Sequence, residues 1–259
     1  MEKEMRNSVL IILIATLTLG GIAFAQEAKS ANAKVFIEET TFDFGYIPGG
    51  EVVSHSYYLH SRGTDSLKIL NVKPGCGCTK APLKKDVVAV GDSANVELVF
   101  TSSKGGRGTV SKSATVTCND NDRSNFQLTF KGITYDSPDS LRPLSLSNAT
   151  IKIDAKARAK EAKLVVKNVS ETNVRIHLVS HPSDYLKIDV PDSEIKPGKE
   201  KEIKIRINPL VNEEEFKKSF TFGVNDSAGT HYTIPVLLTK ATEVTHVLPT
   251  PDKKVESAH

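Results

Sequence analysis

The feature that most constrains this chain is a period of two. Val53-x-His55-x-Tyr57-x-Leu59, Val96-x-Leu98-x-Phe100 and Phe126-x-Leu128-x-Phe130 all place their larger side chains on alternate positions. Such alternation turns one face of a strand to a core and the other to water. Turn chemistry bounds the runs: Pro48-Gly49-Gly50, Lys104-Gly105-Gly106 and Asn119-Asp120-Asn121-Asp122. No stretch after residue 26 keeps a 3.6-residue apolar period over three turns. The Ala/Lys-rich segment 154–163 lacks an apolar stripe and reads as a loop leading into a strand. The chain is all-β.

The pattern then recurs. Adding 107 maps Leu67 onto Val174, Ile69 onto Ile176, Val88 onto Ile195 and Gly91 onto Gly198. The same shift carries Val96, Leu98 and Phe100 onto Ile203, Ile205 and Ile207. With an offset of 106, Asn119-Asp120 falls on Asn225-Asp226 and Phe126-x-Leu128 on Tyr232-x-Ile234. A constant offset over most of a hundred residues marks a tandem repeat. About seven short strands per hundred residues is the arithmetic of a sandwich. The expected fold is two tandem immunoglobulin-like β-sandwich domains, at 34–135 and 141–241. Residues 136–140, with Ser137-Pro138, form the linker, and the tail 242–259 is expected to be disordered.

Ahead of the strands, Lys3 and Arg6 precede an apolar run from Val9 to Leu19, and Ala23-Phe24-Ala25 follows. That order is a signal peptide, residues 1–25, with cleavage before Gln26 and a short tether at 26–33. The expectation is an exported chain, periplasmic or extracellular, with no membrane span after cleavage. The 34 basic and 31 acidic residues are spread thinly, so no basic stripe suggests nucleic-acid binding. With 39% hydrophobic and 25% charged residues, the composition is globular.

The offset also isolates the cysteines. Cys76 and Cys78 map onto Ser183 and Tyr185, and His55 onto Ala162, so the second copy does without all three. Cys118 maps onto Val224, which reads as packing. Cys76-Gly77-Cys78 follows a strand in a Pro74-Gly75 loop, where Gly75 and Gly77 are expected to enable the turn. A disulfide between such close neighbours gains little chain entropy, which makes it a poor staple. Four readings of the pair stay open: a conformational disulfide, a thiol-exchange site, a soft-metal ligand pair for Cu(I) with His55 as third ligand, or two inert thiols. His55 alone reads as a core-facing strand residue. The strand 67–72 should pair antiparallel with 109–118, its far end near Thr109, which keeps Cys118 away from the loop cysteines.

Phe42-x-Phe44-Gly45-x-Ile47, His55-x-Tyr57-x-Leu59, Gly63, Leu67-x-Ile69 and Cys76-Gly77-Cys78-Thr79 occur in that order. Over about residues 35–134 this resembles a bacterial exported family of unknown function with a C-G-C-T signature, grouped with immunoglobulin-like domains of the abnormal-spindle and Hydin type. The chain departs from that pattern with Ser61 in place of Asn and Val90-Gly91 in place of Pro-Gly. The resemblance implies an exported β-sandwich with no assigned activity.

Enzyme signatures are missing from the sequence. Gly105-Gly106-Arg107-Gly108 opens no helix and reads as a hairpin turn, and Asn119–Asp122 reads as an Asx-rich turn. No metal site and no cofactor are expected. The functional expectation is a non-enzymatic extracytoplasmic binding or scaffolding module, its partner another envelope or extracellular protein or a glycan. The alternative is a thiol redox or copper-handling protein using Cys76 and Cys78.

Overall fold

The computed structural model describes residues 32–136 and 141–240. The expected signal peptide and tail, and all of the expected tether and linker except residues 32, 33 and 136, lie outside them. Both described stretches belong to one compact unit. The first contains β1 (Val35–Phe36), β2 (Thr41–Pro48), β3 (Val52–Ser61), β4 (Leu67–Pro74) and β5 (Thr79–Lys80). It continues with β6 (Val87–Val88), β7 (Ser93–Thr101), β8 (Gly108–Cys118) and β9 (Asn125–Tyr135). The second contains β10 (Leu144–Leu146), β11 (Ile151–Asp154), β12 (Glu161–Asn168) and β13 (Ile176–Ser180). β14 (Leu186–Asp189), β15 (Glu200–Ile207), β16 (Phe216–Val224) and β17 (His231–Thr239) complete it. The described residues contain strands and turns but no helix, as the alternation requires.

The alternating residues make the cores. Ala94, Val96, Leu98 and Phe100 of β7 are buried, and the residues between them are half-buried. They meet Phe44 of β2 and Leu128 and Phe130 of β9 in one apolar cluster. A second cluster gathers Leu164 and Val166 of β12, Ile203 and Ile205 of β15, and Phe220 and Phe222 of β16. In each case two sheets contribute to one core, which is sandwich packing.

The sheets are not separate by halves. One four-stranded sheet runs β1-β3-β7-β5 and another β10-β12-β15-β14. The nine-stranded sheet runs β13-β16-β17-β2-β9-β8-β4-β6, with β11 also on β17, so it spans both halves. The join is narrow: a single parallel pair, Tyr232 with Tyr46. Gly45 explains the closeness there. Its φ is +61°, and a Cβ on it would lie 2.0 Å from the His231 carbonyl oxygen, so only glycine fits. His231 Nδ1 donates to the Asp43 carbonyl (2.8 Å), and the Thr233 hydroxyl donates to the Phe44 carbonyl (2.7 Å).

Strand pairing follows the sequence offset pair by pair. Leu67 lies opposite Val88, and Val174 opposite Ile195. Ile69 lies opposite Cys118, and Ile176 opposite Val224. Asn119 Oδ1 accepts from the Lys68 amide and Asn225 Oδ1 from the Arg175 amide, each between a hairpin and the strand beside it.

Two local expectations are corrected. Gly105–Gly108 is not a hairpin turn: β7 and β8 lie in different sheets, and the segment crosses from one to the other. It packs on the similar Gly49-Gly50 crossover, where the Gly50 amide donates to the Ser103 carbonyl at 3.1 Å. The far end of β4 pairs not near Thr109 but at Ala114, opposite Pro74, because β8 outruns β4 at that end.

Candidate functional site

The Cys76–Cys78 turn is built by the strands on either side of it. β4 ends at Pro74, and the Gly75 amide donates to the Ser113 carbonyl at 2.8 Å. A Cβ on Gly75 would lie 3.2 Å from that same oxygen, so glycine allows the close approach. The Thr79 amide closes the turn on the Cys76 carbonyl (3.2 Å), and the Thr101 amide holds the Cys78 carbonyl (3.1 Å). Thr79 then pairs with Phe100 and Lys80 with Val99. Within this frame Cys76 and Cys78 form a disulfide, their Cα atoms 5.3 Å apart. Gly77 is not in the left-handed region, and a Cβ on it would meet nothing within 4 Å. The turn therefore closes without the freedom expected of Gly77, and the pairing of β5 with β7 sets its path.

Chemistry differs between the two sulfurs. Thr79 Oγ1 lies 3.5 Å from Cys76 Sγ. A disulfide sulfur carries no proton, so the buried Thr79 hydroxyl is the donor. Cys78 instead borders a cavity of about 400 Å³, with Gly77, Glu51, Thr101, Lys80 and Lys217 among its lining residues. Both cysteines are half-buried. Thr79 was legible as the last residue of the C-G-C-T stretch. Lys217 was not, because it comes from β16 in the other half.

Cys118 stands apart from this turn. It is 2% exposed, opposite Ile69, with Sγ 3.4 Å from the Arg123 carbonyl. Burial pushes its thiol pKa up, which keeps it protonated and unreactive. It stands four positions along β8 from Ala114, the partner of Pro74.

His55 is placed elsewhere too. Its ring stacks on Phe42 with centroids 3.7 Å apart and stands edge-on to Tyr57 at 4.7 Å. Nδ1 meets Ser180 Oγ at 2.9 Å and Nε2 meets Glu39 Oε1 at 3.1 Å. It borders a separate cavity of about 260 Å³ between β3 and the end of β13, with His181 and Glu97 on its wall. Burial lowers the His181 pKa. Nearby, the Ser54 amide donates to Ser219 Oγ (2.9 Å) and Lys218 Nζ to Glu97 (2.6 Å). His55 thus helps hold the halves together instead of joining the cysteines. Among the described residues no three His, Cys, Asp or Glu side chains converge as a metal site would need.

Residues 35–134 match the profile of a family described as "Protein of unknown function (DUF1573)". That span covers the first half and includes the cysteine turn. No curated protein matches the chain. Among solved structures, the chain is similar to a protein of unknown function from Porphyromonas gingivalis W83, at 15% identity and a TM-score of 0.33. The alignment covers 78% of this chain and 98% of that one. It is also similar to the ASH / PapD-like domain 7 of human CEP192, at 14% identity and a TM-score of 0.34, over 41% of this chain and 88% of that one.

Proposed function

We propose that the chain is an exported, non-enzymatic binding protein whose partner surface is the margin of the large sheet along β4. One observation carries this reading: Leu70 is 64%, Val87 48% and Val90 54% exposed, on or beside the last two strands of that sheet. β6 pairs only with Leu67 and Lys68, so β4 continues past it with its outer edge unpaired by any described strand. An edge of this kind takes an added strand, and apolar side chains beside it supply contact area. The occupant is an extended segment of another exported protein. Lys68 and Lys73, both exposed on β4, favour acidic residues in it. Export is supported by the basic, apolar and small-residue order of residues 1–25, and native N-terminal sequencing should begin at Gln26.

A photoreactive side chain placed at position 70 should cross-link one discrete partner in the envelope fraction, through a segment that mass mapping shows to be acidic. Val87→Glu should abolish that product. Equal cross-linking from position 210, in the other half, or an unchanged product in Val87→Glu, would remove the reading. A second reading, thiol exchange at Cys76–Cys78, is favoured by the half-exposed disulfide opening on a cavity.

A further inference from the structure

The asymmetry of the Cys76–Cys78 pair extends this second reading and rests on it. We infer that the disulfide is opened from one side: an anionic thiolate enters the cavity beside Cys78, attacks Cys78 Sγ, and displaces Cys76 as the leaving thiolate. Three features fix this direction. Of the two cysteines only Cys78 lines the cavity, beside Gly77, so a nucleophile entering there meets Cys78 first. Attack on a disulfide runs along the S–S axis, which sends the electron pair to the far sulfur, Cys76. There the Thr79 hydroxyl, 3.5 Å away, already donates towards that sulfur and stabilises the charge that develops.

The cavity wall also selects the nucleophile. Lys80 and Lys217 contribute two ammonium groups against the single carboxylate of Glu51. A positive cleft concentrates anions and raises their encounter rate. The substrate class is therefore a dithiol on an acidic protein segment. In the first step the partner's thiolate bonds to Cys78 Sγ as the Cys76–Cys78 bond breaks, and Cys76 takes up a proton from water. In the second, the partner's other thiolate attacks its own sulfur in the mixed disulfide, and Cys78 leaves as a thiolate. Two electrons have then passed to the turn, which ends as a dithiol, while the partner ends as a disulfide.

Glutathione, an anionic monothiol, has no second thiolate of its own for the second step, so at one equivalent and short times it leaves the mixed disulfide and serves as the probe. The full mature chain is exposed to it, quenched with acid, alkylated and mapped by mass. The expected product carries glutathione on Cys78 and the alkyl label on Cys76. Thr79→Val, which keeps the side-chain shape, should slow the reaction several-fold. Lys80→Glu with Lys217→Glu should slow glutathione by about tenfold and accelerate the cationic thiol cysteamine. Glutathione found on Cys76, or equally on both cysteines, would overturn the inference and leave the thiol-exchange reading standing. An intact Cys76–Cys78 disulfide, where a small cyclic disulfide in the same tube is opened, would overturn both.

Discussion

Two turns at equivalent places in the two halves are closed by different chemistry. In the first half Thr79 pairs with Phe100 after the turn; in the second Leu186 pairs with Ile207, each residue shifted by 107. The first turn is closed by the Cys76–Cys78 disulfide. In the second, Tyr185 stands where Cys78 would be. Its ring meets Phe216 edge-on at 5.3 Å and its hydroxyl bonds Glu213 at 2.6 Å. Lys218 Nζ lies 4.5 Å from the centre of the same ring. The fold therefore needs this turn held, but it does not need a disulfide to hold it. A packed tyrosine is a fixed lock, whereas a half-exposed disulfide is one that a thiol can open.

A second comparison gives the largest expected effect. Ser61 and Asn168 occupy equivalent positions, both fully buried. Asn168 Nδ2 donates to the Thr172 carbonyl (2.7 Å) and the Ile195 carbonyl (2.8 Å), and Oδ1 accepts from the Ser170 amide (2.9 Å). Ser61 Oγ is buried without a hydrogen-bond partner. Asn168→Ala should therefore cost about 3 kcal/mol, through the lost bonds and the Ser170 amide left unpaired. Urea denaturation measures it. Ser61→Asn should instead gain about 1 kcal/mol. A loss from Ser61→Asn would show that the two loops take different paths.

Asp120 sharpens the comparison of the two hairpins. It is 2% exposed and accepts from the amides of Val35 (2.9 Å), Asp122 (2.9 Å) and Arg123 (3.3 Å). Burial pushes its carboxyl pKa up, but those amides, with Lys34 beside it, outweigh burial and hold it below the usual carboxylate range. A depressed folded value means that the unfolded chain binds the proton more tightly. The stabilisation is complete above the ordinary carboxyl value of about 4 and is lost as pH falls through the folded one. Asp120→Ala should cost about 2 kcal/mol at neutral pH. It should also flatten the decline of stability on acidification below about pH 4, as urea titrations at stepped pH would show.

At the small end lies Cys118→Val. Val224 fills the equivalent place at the same 2% exposure, opposite Ile176 as Cys118 is opposite Ile69. The change should shift stability by less than about 0.5 kcal/mol, since volume and apolar character are kept. A larger loss in a thermal melt would mean that the thiol's contact with the Arg123 carbonyl matters more than its packing.

These contrasts were unequally legible in the sequence. The strands showed because half-buried strands alternate, and the offset showed because equivalent pairs such as Leu67–Val88 and Val174–Ile195 place the same demands on side chains. The crossover at Gly105–Gly108 was misread because glycine-rich connections look alike whether or not their strands pair. Gly77 misled in a similar way: the turn's path is set by β5 on β7, a pairing that two residues cannot announce. The junction was invisible. Ser54 and Ser219, or Glu97 and Lys218, are ordinary surface residue types until the fold buries them together. Lys217 at the cysteine cavity escaped notice for the same reason.

The measurement that goes most directly to the central contrast is amide hydrogen exchange of both turns, in the oxidised protein, the reduced protein and Tyr185→Ala. Reduction should speed exchange in residues 75–80 and leave 182–187 unchanged, while Tyr185→Ala should do the reverse. Unchanged exchange at 75–80 on reduction would contradict the claim that the disulfide is the lock on the first turn.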